Sequence, residues 1–342
     1  NGNRYKEKKK EIVLCQLQLN FKRDMKKGTL VISLDFELIW GIFDHADIVN
    51  KKDYFDNTLK VIPKILDCFE KNGVKATWAT VGMLFNENWD EWQSNCPLNR
   101  PTYSNLKLDP YAYGNTHRDL GLDRFFFAPN LIREIQNATG QKIGTHTYSH
   151  YYCLETGQNK EQFADDLDIA IKLANKFNIS LKSLVFPRNQ FNESYLECCV
   201  ERQIVTVRSN PSVWYWDTMA PQTFAMKIFR TADAYLPLGV KSYPEKSIKS
   251  SFPSSQPSSR FLRPQHKMEF INSLRLNRIK NEIIHAAKAG EVYHLWWHPH
   301  NFGIDPDGAI KTLKSILEVY KYCKETFGME SKTMEEIHND LV

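Results

Sequence analysis

Two hydrophobic periods alternate along this chain, and that alternation limits what it can fold into. Short apolar runs at 29–34, 74–81, 142–145, 183–186, 204–207 and 292–297 read as buried strands. Segments of helical spacing lie at 57–71, 129–138, 161–177, 194–202, 268–289 and 309–327. In the first of these, Leu59, Ile62, Ile65, Leu66 and Phe69 carry the repeat, and Asn72-Gly73 supplies a stop. Phe163, Leu167, Ala170, Ile171 and Ala174 share one face of another. Strands that alternate with helices pair in parallel, so the spacing predicts an α/β protein whose parallel sheet closes into a barrel. A length of 342 residues suits one such barrel with insertions. Two irregular insertions are expected, at about 83–128 and 208–265. Within the second, KSYPEKSIKSSFPSSQPSSRF is rich in Ser, Pro and Lys and predicts a mobile loop.

Composition excludes several classes. Hydrophobic residues make up 42% and charged residues 25%, enough for a sizeable core. The net charge of +5 includes no compact arginine patch in the sequence, so no nucleic-acid partner is expected. No apolar run approaches the ~18 residues of a span, so no stable membrane insertion is expected. The seven cysteines are odd in number and show no CxxC spacing, which points to reduced thiols, with Cys198-Cys199 in a helix interior. The basic N-terminus lacks the features of a signal peptide, and a cytoplasmic location is expected. Residues 1–27 read as a leader or non-native extension, 28–330 as a single barrel domain and 331–342 as a C-terminal tail.

Polar residues that do not suit a core fall at the ends of predicted strands. Asp35 and Glu37 follow the first, in ISLDFELIWG. His146 and His150, in THTYSH, follow the third, and Pro187-Arg188-Asn189 follow the fourth. His298 and His300, in HLWWHPHN, follow the last. Parallel barrels build their sites on that face. On extended chain, residues i and i+2 point the same way, so Asp35 and Glu37 converge. The HxxxH spacing brings two imidazoles to one ion if it occupies a helical turn. Two histidines and one carboxylate form an open set for one catalytic divalent ion, with zinc the expected occupant. A second carboxylate could take a proton from water, a histidine could protonate a leaving group, and an arginine could fix the base. Trp40 is a candidate platform for a sugar ring, and Tyr148 could close over the site.

In order and type these motifs resemble the polysaccharide deacetylases, carbohydrate esterases built on the chitooligosaccharide deacetylase homology domain. The resemblance spans roughly 28–330 and implies a distorted (β/α)7 barrel. It implies Asp35 as base, Glu37, His146 and His150 as metal ligands, Arg188 as support for Asp35, and His298 as acid. Asn189 and His300 join Trp40 and Tyr148 as expected substrate contacts. The implied activity is metal-dependent removal of N-acetyl groups from amino sugars of a polysaccharide or glycan precursor. Hydrolysis of another non-peptide C–N amide and an inactive glycan-binding relative are the alternatives. A glycosidase using Asp35 and Glu37 leaves the histidine pair unexplained. The chain departs from the common family motif of two adjacent aspartates, having Asp-x-Glu instead. LDFE, FPRNQ and WWHPHN resemble a branch found with cell-surface polysaccharide synthesis. Arg208, Asn210 and Trp214 are the nearest counterparts of the family's fourth motif.

Overall fold

A computed structural model describes residues 26–342, apart from 212, 217–222, 237, 238, 240 and 249–251. Most of the expected leader and Cys15 therefore lie outside the described residues. Nine strands are formed among those described. They are β1 (Thr29–Phe36), β2 (Ala76–Thr80), β3 (Gln141–Thr145), β4 (Ser183–Val185) and β5 (Thr206–Ser209). β6 (Ser254–Pro257), β7 (Arg260–Phe261), β8 (Val292–Trp297) and β9 (Glu330–Lys332) follow. The sheet runs in the order β6-β5-β4-β3-β2-β1-β8-β7, with β9 beside β1, and its named pairings are parallel.

The expected mobile loop contributes to this sheet. β6 pairs with β5, β7 pairs with β8, and only Ser258 and Ser259 separate them. The Ser258 N–H donates to the Ser209 carbonyl at 2.9 Å, and the Ser259 N–H to the His294 carbonyl at 2.8 Å. One stretch, 254–261, thus bridges both edges of the sheet and serves as the seventh stave of a distorted (β/α)7 barrel. Ser and Pro mislead here because small residues suit a stave that changes neighbours midway.

β1 is buried along its whole length, as a parallel strand covered on both sides must be. Leu30, Ile32, Leu34 and Phe36 face the outer helices. Val31, Ser33 and Asp35 alternate with them and face the barrel interior. Val31 packs there with Ala79, Val185, Val292, Met334 and Ile337. Met334 and Ile337 belong to helix Met334–Leu341, so the expected tail closes the floor of the barrel. β9 supports it by pairing with Thr29–Val31, places that β2 leaves open. The insertion at 83–128 also packs firmly, placing Trp89, Trp92, Phe125 and Phe126 in the main core. Among the described residues, no helix is long and apolar enough to cross a membrane.

Candidate active site

β1 carries Asp35 to the top of the interior, and the chain then leaves the strand. Glu37 has φ −134° and ψ −18°, and Leu38 enters the left-handed region at φ 45°. This turn folds the Glu37 carboxylate back over Gly41, where a Cβ would stand 2.0 Å from Glu37 Cδ. ISLDFELIWG needs its final glycine for that reason.

Glu37 Oε2 lies 3.3 Å from His146 Nε2 and 3.1 Å from His150 Nε2. All three residues are buried. Two ligand atoms each ~2.0–2.1 Å from a tetrahedral ion stand roughly 3.4 Å apart, close to these spacings. The Glu37 Oε2 and His146 Nε2 atoms are buried without a hydrogen-bond partner. A hydrogen-bonded ion pair would satisfy such atoms, whereas a shared cation needs both lone pairs free. His146 Nδ1 donates to the Val185 carbonyl at 2.8 Å, which leaves the Nε2 lone pair facing Glu37. His150 Nδ1 meets the Tyr152 hydroxyl at 3.1 Å. Burial holds His150 down at about 4, against the nearby Glu37, and so keeps it a neutral donor. These residues fit a divalent ion.

The histidine pair does not sit on a helical turn. Residues 146–150 form an irregular turn in which Thr147 (φ 62°) and His150 (φ 57°) are left-handed. Its anchor is Asp166, which the sequence reading missed. The buried Asp166 carboxylate accepts the Tyr148 N–H at 2.6 Å, the Ser149 N–H at 3.1 Å and the Ser149 hydroxyl. Burial pushes Asp166 up to about 7, opposed by these same bonds. A signal was present: Asp166 lies three residues after Phe163 and four before Ala170, on the apolar face of its helix. Asp166→Ala should lower metal affinity roughly 10- to 100-fold with Glu37, His146 and His150 intact. Competitive metal titration checks this, and an unchanged affinity would remove Asp166 from the role.

Arg208, not Arg188, holds Asp35. Its Nη1 and Nη2 donate to Asp35 Oδ1 and Oδ2, both at 2.7 Å, in a bidentate pair. Nη1 also reaches Ser33 Oγ and Nη2 reaches Asn189 Oδ1, each at 3.0 Å. The guanidinium stacks 4.2 Å from the Trp296 ring. Burial works against the Asp35 charge, but Arg208 foremost, with His146 and His298, holds the carboxyl below its usual range. Arg188 instead pairs with Asp44 at 2.6 Å and lies over Tyr152, the partner of His150. The physical reason is backbone direction: Arg188 and Asn189 both have positive φ, which turns Asn189 toward Arg208 and Arg188 away. Asn189 is accordingly a support for Arg208.

His298 Nε2 stands 3.7 Å from Asp35 Oδ2 and 3.6 Å from Glu37 Oε1. It therefore neighbours both carboxylates. Its side chain is 24% exposed, against 5% or less for Asp35, Glu37, His146, His150 and His300. His300 stacks beneath it, ring centroids 5.0 Å apart, with Nδ1 3.7 Å from Glu37 Oε1. Burial holds His300 down at about 3. Glu37, His298 and His300 thus form a second possible ligand set, looser than the first. The expected aromatic contacts are corrected. Trp40 is fully buried, stacks on Trp92 and donates Nε1–H to the Phe126 carbonyl at 2.8 Å. Tyr148 is also fully buried in the main core. Neither offers a face to a sugar, because the packed 83–128 insertion covers them.

Residues 52–202 match the family model described as polysaccharide deacetylase. Over that stretch the chain is similar to the polysaccharide deacetylases. The matched stretch contains His146, His150 and Arg188; Asp35, Glu37, Arg208 and His298 lie outside it. Solved structures share the fold of this chain. A protein from Mycobacterium smegmatis assigned to the polysaccharide deacetylases superposes with a TM-score of 0.57 at 12% identity, over 93% of this chain and 91% of that one. One from Pseudomonas aeruginosa PAO1, with the same assignment, gives 0.53 at 11% identity, over 91% and 89%. Puue allantoinase gives 0.54 at 12% identity, over 92% and 91%. No curated protein matches the chain.

Proposed function

We propose that this protein is a metal-dependent hydrolase that removes N-acetyl groups from amino sugars of a polysaccharide or glycan precursor. The observation that carries the reading is Glu37 Oε2 held 3.1–3.3 Å from two histidine Nε2 atoms, beside a second carboxylate fixed by Arg208. Glu37, His146 and His150 would hold one divalent ion, zinc in a purified sample. The closer spacing of this set favours it over Glu37, His298 and His300. A bound ion supplies Lewis acidity, lowering the pKa of water and polarising a carbonyl. Asp35 takes the water's proton. Arg208 keeps that carboxylate ionised and aimed. His298 protonates the departing amine, since it is the member of the group open to an incoming glycan. His300, stacked beneath, orients the His298 ring. Support for this reading comes from the family match over 52–202 together with the convergence of Asp35, Glu37, His146, His150, Arg208 and His298 on one site.

Hydrolysis of another non-peptide C–N amide is the second reading, favoured by the fold shared with an allantoinase. Acetate release from N-acetylated glycans, measured before and after chelation, separates the two. Release should vanish on removing the metal and return with added divalent ion. Hydrolysis confined to non-sugar amides would select the second reading, and no hydrolysis at all an inactive binding relative. Within the deacetylase reading, His298→Ala should cut N-acetyl turnover roughly 10²–10⁴-fold while sparing metal content. An O-acetyl substrate should suffer less, because an alcohol leaves more easily than an amine. Equal losses on both, or loss of the metal, would remove His298 as the acid.

A further inference from the structure

At the barrel mouth, beside His298, one pocket is lined by two arginines that form no ion pair with a carboxylate among the described residues. Phe261, at the end of β7, packs on Trp296 and on the His298 ring, with centroids 4.6 and 5.5 Å away. Arg263 follows two residues later and lines the same pocket as Phe261 and Trp296. Arg275, from helix Glu269–Ala289, lines it from the other side.

Deeper in the same region the charges are matched. Arg260 pairs with Glu282 at 2.7 Å and Arg278 with Asp233 at 3.2 Å. Arg263 and Arg275 make no ion pair with a carboxylate of the described residues. Among the described residues Arg263 donates to the Arg230 carbonyl, at 3.5 Å. Arg275 donates to the Pro264 carbonyl at 3.2 Å and the Tyr235 hydroxyl at 2.6 Å. Its Nε is buried with no acceptor. Burial first, and then the charge of Arg275, hold the Arg263 guanidinium below its usual pKa. Two partly buried cations pressed together with donors to spare are costly unless an anion joins them. A carboxylate brings one charge, whereas a phosphate monoester or a diphosphate brings about two or more and can bridge both forks.

We propose that this pocket binds a phosphate or diphosphate group carried by the amino-sugar substrate. The protein then acts on a phosphorylated glycan precursor in preference to a neutral polymer. The proposal rests on the deacetylase reading for the reacting group. It ties the anion to the same molecule because Phe261 and Trp296 are walls of the pocket and neighbours of His298.

The test uses the full chain at low salt. Inorganic pyrophosphate is titrated calorimetrically into the wild type, Arg263→Gln and Arg275→Gln. Acetate release is compared for an N-acetylhexosamine 1-phosphate, its nucleoside diphosphate ester and the neutral methyl glycoside. Saturable pyrophosphate binding should weaken roughly ten- to a hundredfold in each variant, and the ratio of kcat/KM for phosphorylated over neutral substrate should fall similarly. Which ester is preferred identifies the source of the phosphate. The substitutions lie on different elements, so misfolding of one, detected by circular dichroism, leaves the other as the test. Pyrophosphate inhibition of the wild type, competitive with the phosphorylated substrate, needs neither. Absent or arginine-independent pyrophosphate binding, or equal kcat/KM on charged and neutral substrates, would overturn the proposal while acetate release still upheld the deacetylase reading. Arginine-dependent binding without acetate release from any substrate would uphold the anion site and overturn that reading.

Discussion

Asp35→Asn should reduce acetate release roughly 10²–10⁴-fold, the span typical for loss of a general base. The substitution keeps the side chain's shape and removes its capacity to accept a proton from water. Arg208 would still donate to the amide oxygen, to Ser33 Oγ and to Asn189 Oδ1, so the guanidinium keeps most of its acceptors. Glu37, His146 and His150 do not depend on Asp35 for their placement, and metal content should persist. Turnover and bound metal are measured on the same folded sample. Near-normal turnover would show that another group takes the proton. Loss of metal in step with activity would make Asp35 part of the ion's binding set.

Arg208→Met should do still wider damage. Asp35 is 2% exposed, and Arg208 supplies both of its close charged hydrogen bonds. Removing one partner of a buried ion pair strands the other, at a cost of ~3–5 kcal/mol, whereas an exposed pair is worth ~0–1. That is a large part of the ~5–15 kcal/mol that holds a typical domain together. Burial then drives Asp35 toward its neutral form, so the base is lost along with stability. A denaturant midpoint and a turnover assay read both effects. The double variant Asp35→Asn with Arg208→Met should recover part of the lost stability, because it strands no charge. A single variant within about 0.5 kcal/mol of the wild type, the usual effect of a surface change, would mean that the pair is not held as described.

Much of the barrel was legible because its signals are local. Runs such as 292–297 coincide with β8, and Asn72-Gly73 does end a helix, with Gly73 at φ 61°. The strand-end rule was enough to gather Asp35, Glu37, His146, His150 and His298. What escaped depends on backbone direction and long-range pairing. Arg188 and Arg208 both follow predicted strands, and nothing in their neighbours shows that left-handed φ at 188 and 189 would hand Asp35 to the second. The HxxxH spacing is the same on a helix and in a turn, and the turn is anchored by Asp166, 16 residues beyond His150. Trp40 looked available because the covering role of 83–128 is a tertiary fact. Residues 254–261 carry too few β-formers to read as strand, and their place is set by β5 and β8.

The stave formed by 254–261 also bears on how this protein reaches its native state. It can dock only after β5 and β8 are both present, and β8 itself pairs with β1 across more than 250 residues of sequence. Contacts so distant along the chain make for slow folding, since the entropy of closing the loop is lost before the pairing rewards it. Asp35 on β1, Arg208 on β5 and His298 after β8 are brought together by the same event. Metal uptake by Glu37, His146 and His150 needs only the β1–β4 side of the barrel, whereas the group of Asp35, Arg208 and His298 also needs β5 and β8 in place. During refolding, ion binding should therefore precede hydrolytic competence, and the interval between them would time the closing of the barrel.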